Sequence, residues 1–240
     1  MSVNLHELRV NIFADGAKID EITKMNNNPL IKGLTTNPTL MRKAGVTSYR
    51  TFARDILSFV TQKPISFEVF SDDLLEMESQ AYEIASWAEN VYVKIPITNT
   101  EGKSTKDLIK KLVSNNVKVN VTAIMTIDQV KEVSQSLKLE VPNYISIFAG
   151  RIADTGRDPV PIMKEALSIL KPISSSQLIW ASPRELLNII QASDIGCHII
   201  TATTDILKKI DLIGYDLEDY SLDTVKMFYR DALESSFKIE

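Results

Sequence analysis

Short runs rich in β-branched and aromatic residues alternate with segments of helical length along the whole chain. Such runs predict buried β-strands, and the polar-apolar segments between most of them predict amphipathic helices. Eight such runs occur, and this regular alternation constrains the fold more than any other feature of the sequence. In chain order they are RVNIFAD, LIKGLTTN, PISFEVF, VYVKIPIT, VKVNVTAIM, YISIFAG, QLIWAS and CHIITAT.

This alternation predicts an α/β fold with a parallel sheet, because parallel strands need a crossover long enough to hold a helix. Eight units in 240 residues fit a TIM (β/α)8 barrel, which usually takes about 250 residues. A doubly wound open sheet is the competing arrangement. It normally has a glycine-rich turn after the first strand, and ADGAKIDEI contains neither G-x-G-x-x-G nor a Walker loop. The sequence therefore favours a single barrel domain over residues 1–240.

The end of the chain, residues 216–240, predicts one extra amphipathic helix beyond the barrel. Its apolar side chains include Tyr220, Val225, Phe228 and Phe237. We expect them to pack either on the barrel or on a neighbouring subunit.

Composition excludes several classes of function. The net charge is -4 and no basic run occurs, which argues against a nucleic-acid partner. No apolar stretch approaches the roughly 20 residues of a membrane span. With one cysteine, Cys197, and two histidines, His6 and His198, neither a disulfide, a histidine-rich metal site nor a Ser-His-Asp triad is expected. MSVNLHELRVNIF does not resemble a secretion signal, so cytoplasmic residence is predicted.

The fourth run, VYVKIPIT, contains a lysine in an otherwise apolar strand. Side chains alternate along a strand, so its valines and isoleucines share one face and Tyr92, Lys94 and Pro96 share the other. If the aliphatic face meets the helices, Lys94 points into the barrel. Enzymes of this architecture place their sites at the carboxyl ends of the strands.

The same alternation places further polar groups on inward faces. The sets are Asn11, Phe13 and Asp15; Ser66, Glu68 and Phe70; Asn120 and Thr122; Ser146 and Phe148; and Trp180 and Ser182. Arg151 and Arg184 follow the ends of the sixth and seventh strands. This set contains more inward polar groups than a purely structural core needs.

Plain structural interpretations stay open for individual residues. Asp15 fits the cap of the next helix, Glu68 fits a structural ion-pair partner of Lys94, and the two arginines fit an ordinary surface. Cys197 and His198 are expected only to pack.

Taken together, the inward groups suit Schiff-base chemistry. A lysine among apolar walls gives up its proton more readily, and its neutral amine attacks a ketone. The resulting protonated imine accepts electrons when the adjacent carbon-carbon bond breaks. Neighbouring carboxylates and hydroxyls would move the protons, and the reaction needs neither a metal nor a cofactor.

In its motifs the chain resembles the transaldolase family of Schiff-base aldolases. The resemblance covers nearly the whole sequence and is strongest in the pair TTNP and VKIP. The matching segments are FADGAKIDEI, GLTTNPTL, YVKIPIT followed by TEG, VNVTAIM, ISIFAGRIADTG, WASPRELLN and GCHIIT.

The resemblance implies roles for individual residues. Lys94 would form the Schiff base, Asp15 would be the base that promotes bond cleavage, and Glu68 with Thr122 would hold a catalytic water. The residues implied near the dihydroxyacetone unit are Asn37, Asn120 and Ser146, and Thr36 and Phe148 are implied as further substrate-binding residues. The residues implied at the terminal phosphate are Arg151, Ser182 and Arg184, since guanidinium groups bind oxyanions well.

The resemblance also implies the substrates and the assembly. They are ketose and aldose phosphates, with a dihydroxyacetone unit transferred between them. The chain length matches a compact branch that includes fructose-6-phosphate aldolases, which form rings of subunits such as pentamers or decamers through the C-terminal helix. Glu68 and Phe148 favour transfer, because the aldolase subgroup typically has glutamine and tyrosine there.

Three alternatives stay open: a fructose-6-phosphate aldolase, an enzyme for sulfonated sugars, and a sugar-phosphate-binding barrel without turnover. The chain also departs from the family pattern at two positions. Gly16 stands where many members have threonine or serine, and Pro183 stands where phenylalanine is usual.

Overall fold

The computed structural model describes residues 7–235, so His6 and Phe237 lie outside the described residues. Eight parallel strands pair in chain order and close into a barrel, with β1 pairing with both β2 and β8. The predicted (β/α)8 barrel is confirmed. The strands are β1 Asn11–Asp15, β2 Ile31–Thr35, β3 Ile65–Glu68, β4 Val91–Pro96, β5 Val119–Ile124, β6 Asn143–Ile147, β7 Ser176–Trp180 and β8 Ile199–Thr203.

Helices follow the strands, and those before α11 surround the barrel. They are α1 Ile19–Asn27, α2 Pro38–Lys43, α3 Tyr49–Leu57, α4 Leu74–Ala85, α5 Lys106–Ser114, α6 Ile127–Ser134, α7 Ala149–Ala153, α8 Val160–Leu170, α9 Leu187–Asp194, α10 Thr204–Leu207 and α11 Leu217–Ser235. No helix within residues 7–235 is long and apolar enough to cross a lipid bilayer.

Two separate apolar clusters hold the barrel together. The larger one lies between the strands and the helices and includes Val93 and Ile95, as the alternation of β4 predicts. The smaller one fills the barrel interior with Phe13, Tyr92 and Tyr144 among its members. Lys94 follows Tyr92 on this inward face.

The seventh strand departs from the predicted alternation. Trp180 is fully buried in the outer cluster, and its neighbours Ile179 and Ala181 belong to the interior cluster. The prediction that Trp180 faces the barrel interior was wrong. Ser182 nevertheless reaches the open end of the barrel because its φ of 58° turns the chain just beyond the strand.

Two other residues of the predicted inward sets do not lie in the interior. Asn11, at the beginning of β1, is exposed. Phe70 follows the end of β3 and is 50% exposed, with its ring against Tyr49. Both positions are at or beyond strand ends, where alternation no longer fixes the direction of a side chain.

The predicted C-terminal helix is present as α11 and has no buried residue. Tyr220, Val225 and Phe228 are all exposed, so the structure does not place them against the barrel. An amphipathic helix with an exposed apolar face is typical of one that packs against another chain.

Candidate active site

A cavity of about 610 Å³ opens at the carboxyl ends of the strands. Its walls bring together all the predicted site residues except Thr36. Those residues are Asp15, Asn37, Glu68, Lys94, Asn120, Thr122, Ser146, Phe148, Arg151, Ser182 and Arg184. Side chains from different strands meet here because every strand of a closed parallel barrel ends at the same face.

Lys94 lies in the base of this cavity and is only 6% exposed. Its Nζ is 3.0 Å from Oε2 of Glu68, which is paired with it in the register of β3 and β4. It also donates a hydrogen bond to the carbonyl of Thr36 at 2.8 Å. The ion pair between Lys94 and Glu68, which was one structural interpretation of the sequence, is therefore present, and it lies inside the cavity. At this distance a proton can pass directly between the two groups.

Asp15 lies at the end of β1 and lines the same cavity as Lys94. Its carboxylate accepts a hydrogen bond from the Thr35 hydroxyl at 2.8 Å and another from the Asn37 amide at 3.0 Å. Burial raises the pKa of Asp15 above its ordinary value of 3.8, although the charge of Lys94 and these two hydrogen bonds act in the opposite direction. Asp15 does not cap α1, since Lys18 occupies the N-cap position.

A row of buried hydrogen bonds crosses the barrel beside the lysine. The Ser146 hydroxyl donates to the Asn120 side-chain carbonyl at 2.7 Å, and the Asn120 amide donates to the Ser66 hydroxyl at 3.0 Å. These bonds fix the orientation of the Asn120 amide. Thr122 lies two residues after Asn120 in β5 and is buried. Its hydroxyl has no hydrogen-bond partner among residues 7–235.

Two arginines form one rim of the cavity. Arg151 lies on α7, and Arg184 follows β7 and forms an ion pair with Asp154. The two segments can approach closely because Gly150 has no side chain. A Cβ at this position would lie 1.6 Å from the Ser182 carbonyl oxygen. This rim brings two guanidinium groups to one end of the cavity.

Thr36 is the one predicted site residue that the cavity wall does not include. Its side chain is fully buried, and its hydroxyl donates to the Ser66 carbonyl at 3.0 Å. The inward residue of TTNP is instead Thr35, which contacts both Asp15 and the Thr201 hydroxyl. The alternation test on the second and eighth strands would have found Thr35 and Thr201.

The two departures from the family pattern have different surroundings. A side chain at Gly16 would meet no atom within 4 Å, so the site has room for a larger residue there. Pro183 is buried and lines the cavity, and in sequence it stands directly before Arg184 of the arginine rim.

The residues expected only to pack do so. Burial raises the pKa of the Cys197 thiol to about 12, which keeps it protonated. Burial lowers the pKa of His198, whose Nδ1 accepts a hydrogen bond from the Leu178 amide at 3.0 Å. Within residues 7–235, no group of His, Cys, Asp or Glu side chains could hold a metal ion.

Fold and site together define a (β/α)8-barrel protein whose cavity holds a buried lysine, two carboxylates and a rim with two arginines. The family model described as transaldolase/fructose-6-phosphate aldolase matches residues 12–239. The chain belongs to this family.

Curated relatives agree with this assignment. The chain is 35% identical over 200 residues to a probable transaldolase of Dehalococcoides mccartyi, covering 83% of this chain and 89% of the relative. It is 32% identical over 224 residues to a probable transaldolase of Thermoanaerobacter sp., covering 92% and 97%. A probable transaldolase of Methanococcus maripaludis is 31% identical over 212 residues, covering 88% and 93%.

Proposed function

We propose that the protein is a transaldolase that moves a dihydroxyacetone unit from a ketose phosphate to an aldose phosphate through a Schiff base on Lys94. The observation that carries this proposal is the buried lysine, with Glu68 at 3.0 Å and Asp15 in the same cavity. An amine that shares a cavity with two carboxylates can both add to a ketone and support cleavage of the neighbouring bond.

Imine formation uses Lys94, Glu68 and Thr122. Glu68 takes a proton from Lys94, and the free amine adds to the ketone carbon of the donor. The carbinolamine then loses its oxygen as water, with the proton supplied by Glu68, and a protonated imine is left. The Thr122 hydroxyl, which lines the cavity, is available to bind this water.

Cleavage uses Asp15 as the base. Asp15 takes the proton of the donor hydroxyl, the adjacent carbon-carbon bond breaks, and its electron pair moves into the imine to give an enamine. An aldose phosphate leaves. The enamine then adds to the acceptor aldehyde, Asp15 returns the proton to the new hydroxyl, and water releases the product. A raised pKa suits a group that both takes and returns a proton.

The remaining cavity residues suit the two ends of the donor. Asn37, Asn120 and Ser146 offer amides and a hydroxyl beside Lys94, which match the hydroxyls of a dihydroxyacetone unit. Arg151, Ser182 and Arg184 lie together at the rim, where guanidinium groups would bind a terminal phosphate. In sequence Phe148 falls between Ser146 and Arg151, and it lines the same cavity.

We favour transfer over release of free dihydroxyacetone because the wall carries Phe148. A tyrosine at this position would offer a proton donor for the release of the three-carbon unit, and phenylalanine offers none. A rim of two arginines suits a sulfonate as well as a phosphate, so both belong in the substrate tests.

We further propose a homo-oligomer assembled through α11. Its support is the exposed apolar face of this helix, on which Tyr220, Val225 and Phe228 lie. Cytoplasmic residence and a role in the pentose phosphate pathway stay predictions of the sequence and the family resemblance.

Trapping the imine tests the function directly. Wild-type protein is treated with fructose 6-phosphate and borohydride and then digested for mass spectrometry. We expect one reduced three-carbon adduct, on Lys94, and we expect Lys94→Met to form none. The matched control is Lys118→Met, since Lys118 lies at the opposite end of the barrel with its Nζ 5.7 Å from the centre of the Tyr92 ring.

The outcome separates the alternatives. A protein that binds the sugar phosphate without forming an adduct would be a binding barrel. An enzyme that releases dihydroxyacetone faster than it passes the unit to erythrose 4-phosphate would be an aldolase, and transfer would then be the wrong conclusion.

A further inference from the structure

The end of β3 lacks a neighbouring strand on one side. β2 ends at Thr35, and the chain then turns at Asn37 to begin α2. The last backbone bond across this edge joins the Thr36 amide to the Ser66 carbonyl at 3.2 Å. Glu68 lies two residues further along β3, beyond the reach of β2.

The backbone of Glu68 points toward this open edge. Successive residues of a strand direct their N–H and C=O groups to opposite sides, so Ser66 and Glu68 share one side. The Val69 amide takes the other side and donates to the Lys94 carbonyl at 3.2 Å. Without a further partner, both backbone groups of Glu68 would be unsatisfied, and such groups destabilise a partly buried segment.

Tyr49 supplies both missing hydrogen bonds. Its hydroxyl accepts from the Glu68 amide at 2.8 Å and donates to the Glu68 carbonyl at 3.1 Å. One tyrosine hydroxyl can do both, since it is a donor and an acceptor at once. The Tyr49 hydroxyl thus takes the place of the missing β2 residue.

The position of this hydroxyl is fixed by surrounding rings. The Tyr49 ring makes edge contacts with Phe67, Phe70 and Trp87, at centroid distances of 6.0, 4.4 and 5.5 Å. Burial also raises the pKa of the Tyr49 hydroxyl, which keeps the proton that it donates to Glu68. The hydroxyl is therefore held in place by packing on a part of the fold that lies outside the cavity wall.

We propose that Tyr49 is a positioning residue of the reaction: it fixes the backbone of Glu68 and thereby holds the Glu68 carboxylate at hydrogen-bond distance from Lys94. This rests on the proposed function, in which Glu68 moves protons during imine formation and hydrolysis. A displacement of about 1 Å at such a group can cost up to about a hundredfold in rate.

The test compares Tyr49→Phe with wild type. Phenylalanine keeps the ring contacts and removes only the hydroxyl. We expect hydrogen exchange at the Glu68 amide to speed up and adduct formation on Lys94 to slow by about tenfold to a hundredfold, with little change in the KM for the donor. The matched control is Tyr82→Phe, because the Tyr82 hydroxyl accepts a hydrogen bond from Asn115 at 3.0 Å outside the site. Tyr82→Phe should trap at the wild-type rate.

A double-mutant cycle shows whether Tyr49 acts through Glu68. In a Glu68→Ala background, Tyr49→Phe should slow adduct formation no further. The proposal would be overturned if Tyr49→Phe slowed adduct formation equally in both backgrounds. It would also be overturned if the Tyr49→Phe variant formed the adduct on Lys94 at the wild-type rate. If the wild-type protein itself forms no adduct, the proposed function fails. Independently of that result, the positioning role would be overturned if hydrogen exchange at the Glu68 amide were unchanged in Tyr49→Phe.

Discussion

Two layers of the barrel interior differ sharply in chemistry, although the same strands build both. The lower layer carries Phe13, Tyr92, Tyr144 and Ile199, which pack as one apolar cluster. Two residues further along the same strands, the upper layer carries Asp15, Lys94, Ser146 and Thr201, all of which line the cavity. A step of two residues keeps a side chain on the inward face and moves it toward the carboxyl end.

The contrast explains the electrostatics of the upper layer. The lower layer is a packed floor, in which Tyr144 stacks on Tyr92 at 4.1 Å and meets the edge of Phe13 at 5.8 Å. It closes the barrel below the site, so the polar groups above it are solvated only from the cavity. This is the physical basis of the raised pKa of Asp15, which arises first of all from burial.

The largest effect is expected from Asp15→Asn, which removes the carboxylate that we propose as the acid-base group of the upper layer. The turnover rate should fall about a hundredfold to ten-thousandfold, the usual contribution of a positioned acid or base. Transfer assays with saturating donor measure it. The matched control is Asp205→Asn, which changes an exposed carboxylate at the mouth of the same cavity and should leave the rate nearly unchanged.

The same variant should change stability in a pH-dependent way. Because the folded pKa of Asp15 is raised, folding favours its protonated form, and this contribution is present at low pH and is lost as pH rises through the raised pKa. The Tm of Asp15→Asn minus that of wild type should therefore increase as the pH rises above 3.8. A difference that stays constant or decreases over this range would contradict the raised pKa.

A smaller effect is expected from Tyr144→Leu, which weakens the lower layer and leaves the upper layer intact. Its ring takes part in two aromatic pairs, each contributing about 0.5–1.5 kcal/mol, so the free energy of unfolding should fall by roughly 1–3 kcal/mol. Urea unfolding measures it. The adduct on Lys94 should still form.

Tyr215→Leu is the control for this substitution, because the Tyr215 ring is 43% exposed and contacts only Tyr220 among the aromatic pairs of residues 7–235. The free energy of unfolding of Tyr215→Leu should fall by less than about 1 kcal/mol, as for most substitutions at the surface. Equal destabilisation by both variants would show that the aromatic contacts of the lower layer stabilise the protein no more than an exposed aromatic pair does.

Much of both layers could be predicted from the sequence, since alternation is a local property of a strand. It correctly placed Asp15, Lys94 and Ser146 in the cavity and the valines of β4 on the outside. Such predictions need only the strand and one reference residue. Thr35 and Thr201 were within reach of the same test.

Other features depend on contacts that sequence alternation does not encode. The inward residues here are Ile179 of β7 and Ala181 just beyond its end, and Ser182 reaches the cavity only through a left-handed backbone conformation. Tyr49 lies on a helix and reaches the backbone of Glu68 because β2 ends early. The first depends on a local backbone conformation and the second on where a neighbouring strand ends, and both are properties of the folded barrel.

The smallest effect concerns the top of the upper layer, where Gly150→Ala tests the arginine rim. The new Cβ would lie 1.6 Å from the Ser182 carbonyl oxygen, so the segments that carry Arg151 and Arg184 must separate. We expect the KM for a phosphorylated donor to rise by about tenfold, the equivalent of roughly 1.4 kcal/mol, with a much smaller change in turnover rate. Gly16→Ala is the control, since a Cβ there meets no atom within 4 Å. If Gly150→Ala lowered turnover and left KM unchanged, the rim would act on the chemistry around Lys94 rather than on the anionic end of the donor.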